Sequence, residues 1–517
     1  MHDKVVNRLS TTPTGLAAPD GLRTLPGGAL KCAARRSWQH QAILVLLGLL
    51  AIRLLAMAVI PLNDTTEARY AEIARKMLET GNWVTLWHDY QIPFWAKPPL
   101  STWLSAAFMG VFGVNELSAR LPALLLAIGT VALTTSLAAV RSGREAATAC
   151  TLVLSGGLLF LLSAGTVMTD PALMFSVTLI QVAFWRALRE RSRHWGYLFF
   201  AGLGLGLLAK GPVAIVLAAM PIGLWVIVQQ QWKPLWQHLP WLSGLLLTLL
   251  IAAPWYLLAE QRTPGFLNYF IMGEHVARFL DPGWKGDRYG FAHATPHGMI
   301  WLYTLGALLP WSLAMWPWLV RQRRRLPALC RDQDGWLLYA ALWAVMTLLF
   351  FSLSGNIIWP YSLPMLPGFA LLFAELWQRA DVPQRGRWLP GLAMVSGVIT
   401  LAVAAAFMLW PESVGRSQKR LIAAWQQQQP GTASQLLYWD RRREFSAEFY
   451  SGGRARSSTD AARFQALLHN ATQDYIAVDA KEVGELPPAV RTGFEEIGRF
   501  RNMKDVTLLL RERLPAH

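Results

Sequence analysis

The stretch from Gln41 to Ile60, QAILVLLGLLAIRLLAMAVI, decides the fold. Twenty such residues wound as a helix at about 1.5 Å each span about 30 Å, the thickness of a hydrocarbon core. Working outward, further apolar runs lie near 118–140, 146–164, 171–188, 196–209, 212–229, 240–259, 299–320, 335–353, 359–377 and 389–410. The segment 98–113, PPLSTWLSAAFMGVFG, reads as a re-entrant or additional spanning helix. The expected fold class is an all-α polytopic membrane protein with about 11 to 13 transmembrane helices, periplasmic amphipathic helices and a small C-terminal α/β domain.

Composition agrees. The chain has 517 residues, 53% apolar and only 15% charged, with 25 Trp and 22 Phe and a mean hydropathy of +0.29. Soluble chains carry about a quarter charged residues, so a disordered, fibrous or single soluble domain is excluded. The formal charge is +16. Nucleic acid as a partner would need Lys and Arg gathered on a polar face with aromatics between them. Here they recur as short clusters between apolar runs, as in membrane proteins, and nucleic acid is set aside. Cys32, Cys150 and Cys330 fit neither a zinc motif nor a disulfide framework and read as free thiols. The first 38 residues lack a cleavable-signal pattern, so the first apolar run is expected to be an uncleaved anchor.

The loops set the orientation. With the N-terminal tail (1–40) inside, the inner connections carry Arg141 and Arg144; Arg189, Arg191 and Arg193; Lys233; Arg321, Arg323, Arg324, Arg325 and Arg331; and Arg379, Arg385 and Arg387. The opposite loops, notably 61–117 and 260–298, are longer and closer to neutral, so the positive-inside rule places them outside. The domain 41–410 is expected to cross the membrane several times, with the working face on the outer side. Residues 411–517 form a linker followed by the small α/β domain, also outside. Its expected strands are QLLYWD, DYIAVDA and VTLLLRE, with a helix near 459–469.

Several outer residues could carry chemistry. In PLNDTTEARYAEIARKMLETG, from Pro61 to Gly81, Tyr70, Ile73, Ala74, Met77 and Leu78 share one helical face. Arg69, Glu72, Lys76 and Glu79 share another, which predicts an amphipathic helix along the membrane surface. Asp64 and Glu67 fit a capping box, and equally fit acid-base or phosphate chemistry. In FWAKPPL, Lys97 is presented from a stiff segment before Pro98 and either snorkels to headgroups or holds a phosphate. Asp170 in VMTDP is a natural helix cap and an ionisable group at membrane depth. Lys210 in LAKGPV satisfies the last carbonyls of its helix or faces a ligand on the outer side. In FIMGEHVARF, Glu274 pairs with Arg278 across one turn, or His275 and Arg278 point into a cleft, or Glu274 and His275 begin a metal site. All of these lie on the side chosen independently by loop charge. A cavity there suits a substrate that is part lipid and part polar, with a phosphate between.

The order DTTEARYAEIAR, FWAKPPL, VMTDP, LAKGP, EHVARF and WPYSLP (Trp359 to Pro364) resembles the polyprenyl-phosphate-sugar-dependent glycosyltransferases of the GT-C superfamily. The nearest branch is that of the bacterial aminoarabinose (lipid A) transferases, with protein mannosyltransferases more distant. The likeness spans about residues 40 to 380. It implies an inverting enzyme of the bacterial inner membrane, its active site facing the periplasm, that takes a sugar from an undecaprenyl phosphate carrier and gives it to a lipid or glycolipid acceptor. It further implies that Arg69, Lys97 and Arg278, with Lys210 nearby, hold the lipid phosphate and that Tyr361 and Tyr70 line the cavity. Asp64, Glu67 and Asp170 are the acidic candidates for catalysis, with Asp64 as base for a hydroxyl acceptor. No cofactor is called for with certainty; a divalent metal at Glu274 and His275 is kept as a candidate. The chain departs from the family at Thr66, where an Asp is usual, at Ala96, where the branch commonly has Glu, and at Phe94, where Tyr is common. The alternatives are a transporter or flippase of lipid-linked saccharides and a protein O-glycosyltransferase. Against transport, the candidates sit at one surface and no internal repeat is visible.

Overall fold

The computed structural model describes residues 27–290, 293–330, 334–380, 386–439, 444–470 and 472–513. The tail before residue 27, the side chain of Cys32, Arg331, Arg385 and Asp440 lie outside the described residues. Each expected apolar run is helical, and the chain is a multi-pass membrane protein. The 98–113 segment is a 13-residue helix, Leu100–Phe112. Among the described residues five helices are long and apolar enough to cross a bilayer, or up to six when one bent pair counts as a span.

Three irregularities shape the bundle. The helix Glu116–Ser155 contains Gly143 at φ 83°, ψ −179°, a conformation open to glycine, and there the chain folds back. The Thr135 and Thr151 hydroxyls lie 2.6 Å apart. In a straight helix residues 16 apart would be separated by about 24 Å, so the two arms are antiparallel. The run expected at 146–164 is broken, because the helix stops at Ser155 and resumes as Leu158–Ser163. The run expected at 299–320 is likewise two helices, Met299–Ala307 and Trp311–Gln322, set at 97° around Pro310.

The arginine-rich loops meet at one end of the bundle. Arg141 pairs with Asp334 at 2.8 Å, and Arg189 donates to the Asp334 carbonyl. Trp225 donates to the Gly335 carbonyl at 2.7 Å, and Arg379 to that of Leu329 at 3.1 Å. Above this layer lies an aromatic core containing Trp185, Trp225, Trp336 and Tyr339. Within it Tyr339 donates to Gln181, whose amide donates to the Ala218 carbonyl at 3.2 Å. Outward, Leu245, Leu246, Leu249, Leu250 and Leu257 of the helix Trp241–Arg262 are exposed, as a surface facing acyl chains requires.

The C-terminal part carries a five-stranded sheet in the order Ala455–Ser458, Leu436–Trp439, Tyr475–Asp479, Asp505–Glu512, Phe494–Asn502. The first three strands are parallel and the last two pair antiparallel. A helix, Ala461–Leu467, stands where one was expected. The helix Phe445–Tyr450 was not foreseen, and it fixes this sheet to the membrane part.

It does so through the helix Thr66–Thr80, whose charged face is not at the membrane surface as expected. Glu72 and Lys76 are both 0% exposed. Lys76 pairs with Glu448 of the C-terminal helix at 2.8 Å and with Glu72 at 3.5 Å, while Arg75 pairs with Glu72 at 2.7 Å. Opposite charges in mutual contact make this burial tolerable, whereas an unpaired one would cost several kcal/mol. Tyr450 extends the contact: its hydroxyl accepts from the Leu62 amide at 2.8 Å and donates to Glu116 at 3.0 Å.

Candidate functional site

At the end of the bundle opposite the arginine loops lies a cavity of about 170 Å³. The helix Asp170–Glu190 fixes the polarity: it starts beside the cavity, and its last turn, with Arg189, reaches Asp334. The cavity is lined by Lys97, Lys210, Glu274, His275, Arg278 and Tyr361, all singled out from sequence, together with Ser354, Asn356 and an apolar wall that includes Phe279, Phe350 and Phe351.

Each side chain is placed by local structure. Asp170 opens its helix as the first residue before Pro171, is 5% exposed, and accepts from the Lys210 ammonium at 2.6 Å. Lys210 ends the helix Arg193–Lys210 and lies 4.3 Å from the centroid of the Tyr361 ring. Rather than folding back on its own carbonyls it crosses to the neighbouring helix. Gly211 follows at φ +81°, and a Cβ there would meet Phe270 at 2.6 Å and His275 at 3.0 Å. That glycine is what lets the next element approach.

The next element, Tyr269–Ala277, is π-helical. The wider turn puts the His275 Nδ1 2.8 Å from the Phe270 carbonyl five residues back, and its Nε2 3.0 Å from the Lys210 carbonyl. Glu274 sits at the centre of the charges. It accepts from Lys97 at 2.8 Å, from Arg278 at 3.2 Å and from the Tyr269 hydroxyl at 3.3 Å. Arg278 also reaches Asp287 at 3.1 Å. Burial alone would lift the Glu274 carboxyl, but Lys97 and Arg278 hold it below the ordinary carboxylate range. Burial likewise opposes charge on Lys97, and Glu274 outweighs it, keeping the ammonium above its usual value. Burial lowers the His275 imidazole.

Glu274 and His275, the pair considered for a metal, both have partners within the protein. The Glu274 carboxylate faces two cations, and both His275 nitrogens lie against backbone carbonyls. Among the described residues no group of three His, Cys, Asp or Glu could hold a metal ion. Ala96, where the family commonly has Glu, contributes only its carbonyl, which accepts from Lys97 at 2.7 Å.

Four other candidates, Glu67, Asp64, Arg69 and Tyr70, are not among the residues that line the cavity. Glu67 forms a two-point pair with Arg120 at 2.7 and 2.8 Å; Arg120 also donates to the Met57 carbonyl at 2.7 Å. This ties the first loop to the end of the first helix. Asp64 neither caps its helix, whose first turn follows Thr65, nor faces the cavity. It accepts from the backbone amide of Ser446 at 3.1 Å and from the Ser446 hydroxyl. Removal from water and the neighbouring Glu444 push its carboxyl well above the ordinary range. Arg69 donates to the Tyr289 carbonyl and lies 5.6 Å from both the Tyr70 and Phe94 ring centroids, and Tyr70 packs edge-on to Phe94. Their partners, Arg120, Ser446 and Tyr289, are remote in the chain, so sequence adjacency does not show them.

Comparison with known proteins follows the same lines. The family model for dolichyl-phosphate-mannose-protein mannosyltransferase matches residues 40–270. The chain is 30% identical over 352 residues to an undecaprenyl phosphate-alpha-4-amino-4-deoxy-L-arabinose arabinosyl transferase from Edwardsiella ictaluri, covering 66% of this chain and 60% of that protein. It is 33% identical over 362 residues to the protein of the same name from Pseudomonas aeruginosa, again covering 66% and 60%. The chain thus spans about 60% of the length of the curated relatives it matches. Among solved structures, ArnT from Cupriavidus metallidurans bound to undecaprenyl phosphate superposes with a TM-score of 0.71 at 20% identity, covering 90% of this chain and 97% of that one. The apo form gives 0.72. The resemblance seen in the motifs holds: the chain has the GT-C fold of ArnT, and in sequence it is similar to the aminoarabinose transferases and, over its N-terminal half, to the protein mannosyltransferases.

Proposed function

We propose that the protein is an inner-membrane glycosyltransferase that moves a sugar from an undecaprenyl phosphate carrier to an acceptor at the periplasmic surface, with lipid A or another envelope glycolipid as the acceptor class. The observation that carries this reading is the convergence of Lys97, Lys210 and Arg278 on one cavity, at the end of the bundle away from the arginine loops. In this reading the domain 41–410 crosses the membrane about 11 to 13 times. The loops 61–117 and 260–298 and the α/β domain after residue 411 lie in the periplasm.

The chemistry follows from charge. As the glycosidic bond breaks, negative charge grows on the carrier phosphate, and pre-placed Lys97, Lys210 and Arg278 stabilise it without reorganising. Glu274 and Asp170 keep those cations oriented before the phosphate arrives. Asp64 and Glu67 are engaged elsewhere, so of the three acidic candidates for catalysis Asp170 is the one that pairs with a cavity cation. An acceptor that is already ionised, such as a phosphate, needs no base and fits this set best. The names of the relatives make 4-amino-4-deoxy-L-arabinose the first sugar to try.

The test uses the full chain in lipid nanodiscs with labelled undecaprenyl-phosphate sugar and a lipid A extract. Transfer predicts a labelled glycolipid; label that remains on the unchanged donor would refute the enzyme reading. Movement of intact donor between leaflets would indicate transport instead.

A further inference from the structure

Among the described residues that line the cavity, two buried nitrogens have no hydrogen-bond partner: Nε of Arg278, whose guanidinium is already paired with Glu274 and Asp287, and Nδ2 of Asn356. Asn356 is 4% exposed and lines the cavity beside Ser354 and Tyr361. Its Oδ1 accepts the His293 backbone N–H at 3.0 Å, which fixes the amide orientation and identifies the other terminal atom as the NH₂ donor. That Nδ2 is buried without a hydrogen bond. A buried donor left unpaired is costly, and one that lines a cavity can be satisfied by a ligand entering it.

The amide is also held still. The Asn356 backbone N–H donates to Ser354 Oγ at 3.2 Å, and Thr295 clamps the same turn through its amide, 2.8 Å from the Gly355 carbonyl. A Cβ on Gly355 would meet Pro282 at 2.5 Å, so the turn at Ser354–Asn356 packs tightly against the loop 260–298. The cations supply attraction with little direction, whereas a fixed N–H demands an oxygen at one place.

We infer that Asn356 is a binding residue of the cavity whose side-chain N–H₂ donates to an oxygen of the carrier lipid's head group, in its phosphate or its sugar. The inference rests on the proposed carrier and adds a contact that none of the motif residues provides.

Two variants test it. Asn356→Asp keeps an oxygen for the His293 N–H and replaces the donor with a negative oxygen; Asn356→Ala removes the donor without adding charge. The probes are undecaprenyl phosphate, by equilibrium binding to the full chain in nanodiscs, and undecaprenyl phosphate-4-amino-4-deoxy-L-arabinose, by KM. Thermal midpoints monitor folding. Both variants are expected to weaken binding, by about tenfold for a lost donor to a charged group and more for Asp. If both lipids weaken, the oxygen belongs to the phosphate; if only the sugar-bearing lipid does, it belongs to the sugar. Wild-type affinity of a folded Asn356→Ala for both lipids overturns the inference. So does an Asn356→Asp deficit that disappears at about 0.5 M salt, which would mark screened repulsion at a distance. Failure of the wild-type protein itself to bind undecaprenyl phosphate would instead remove the carrier reading on which the inference stands.

Discussion

Glu274 already occupies the position that an anionic ligand would want. Its carboxylate lies 2.8 Å from Lys97 and 3.2 Å from Arg278, so an incoming phosphate must share both cations with it. Glu274→Gln removes the competing charge and keeps the shape. At an effective dielectric of about 20, a pair of unit charges 4 Å apart is worth about 4 kcal/mol, and desolvation and rearrangement cancel much of that. A net return of about 1.5 to 3 kcal/mol per ligand is a reasonable expectation, which tightens undecaprenyl phosphate binding by about 10-fold to 150-fold. The sign with pH also follows. Without Glu274 the burial term on Lys97 is unopposed, its ammonium titrates lower, and the gain in affinity should fade as the medium becomes alkaline. Because the phosphate is also the leaving group, tighter retention should lower kcat together with KM. The assay is equilibrium binding of undecaprenyl phosphate to nanodisc protein from neutral to alkaline pH, beside steady-state transfer. A folded Glu274→Gln protein that binds no tighter than wild type would refute the view of Glu274 as a resident competitor.

Tyr361→Leu should weaken carrier binding about threefold to tenfold by removing the ring under Lys210, while Tyr361→Phe should retain it; parallel binding curves decide. Lys76→Met leaves Glu72 and Glu448 buried without their shared cation and should cost about 3 kcal/mol or more, read as a lower thermal midpoint and faster proteolysis of the C-terminal part. For Asp64 the folded carboxyl is raised, so its cost to stability begins above the unfolded value of 3.8 and grows as pH rises through the folded value. Asp64→Asn should therefore be more stable than wild type at neutral pH and lose that advantage in acid, measured by thermal midpoints across pH. Gly211→Ala should abolish transfer, because the φ of +81° and the Phe270 ring 2.6 Å away both resist a Cβ; wild-type turnover would contradict the packing argument.

Most of the membrane part was legible because apolar runs of bilayer length have few other uses, and every run anticipated is helical. The breaks at Gly156–Gly157 and Pro310 carried their own punctuation in sequence, yet uninterrupted hydropathy hid it. In the C-terminal part the three apolar strands were readable. Ala455–Ser458, all polar after its first residue, and Phe494–Asn502, with its alternating charges, were not. At the site, Lys97, Lys210, Glu274, His275, Arg278 and Tyr361 do share one cavity. Asp64, Glu67, Arg69 and Tyr70 are not among its lining, since neighbours in one segment turn to different partners and those partners come from distant parts of the chain. Asn356 was missed for a related reason: a single Asn after Ser-Gly reads as a turn, and only the His293 amide reveals which of its atoms is left over.

The buried charge contact between the helices Thr66–Thr80 and Phe445–Tyr450 bears on how such proteins can be recombined. A surface matched by complementary charges and a tyrosine that reaches both Leu62 and Glu116 is specific to this pair of segments. Grafting the C-terminal part of a relative onto this membrane part would strand Lys76 unless the incoming helix brings an acid at the position of Glu448. Module exchange within such proteins therefore calls for moving both faces of the joint at once, and chimeras cut at the linker alone should assemble poorly.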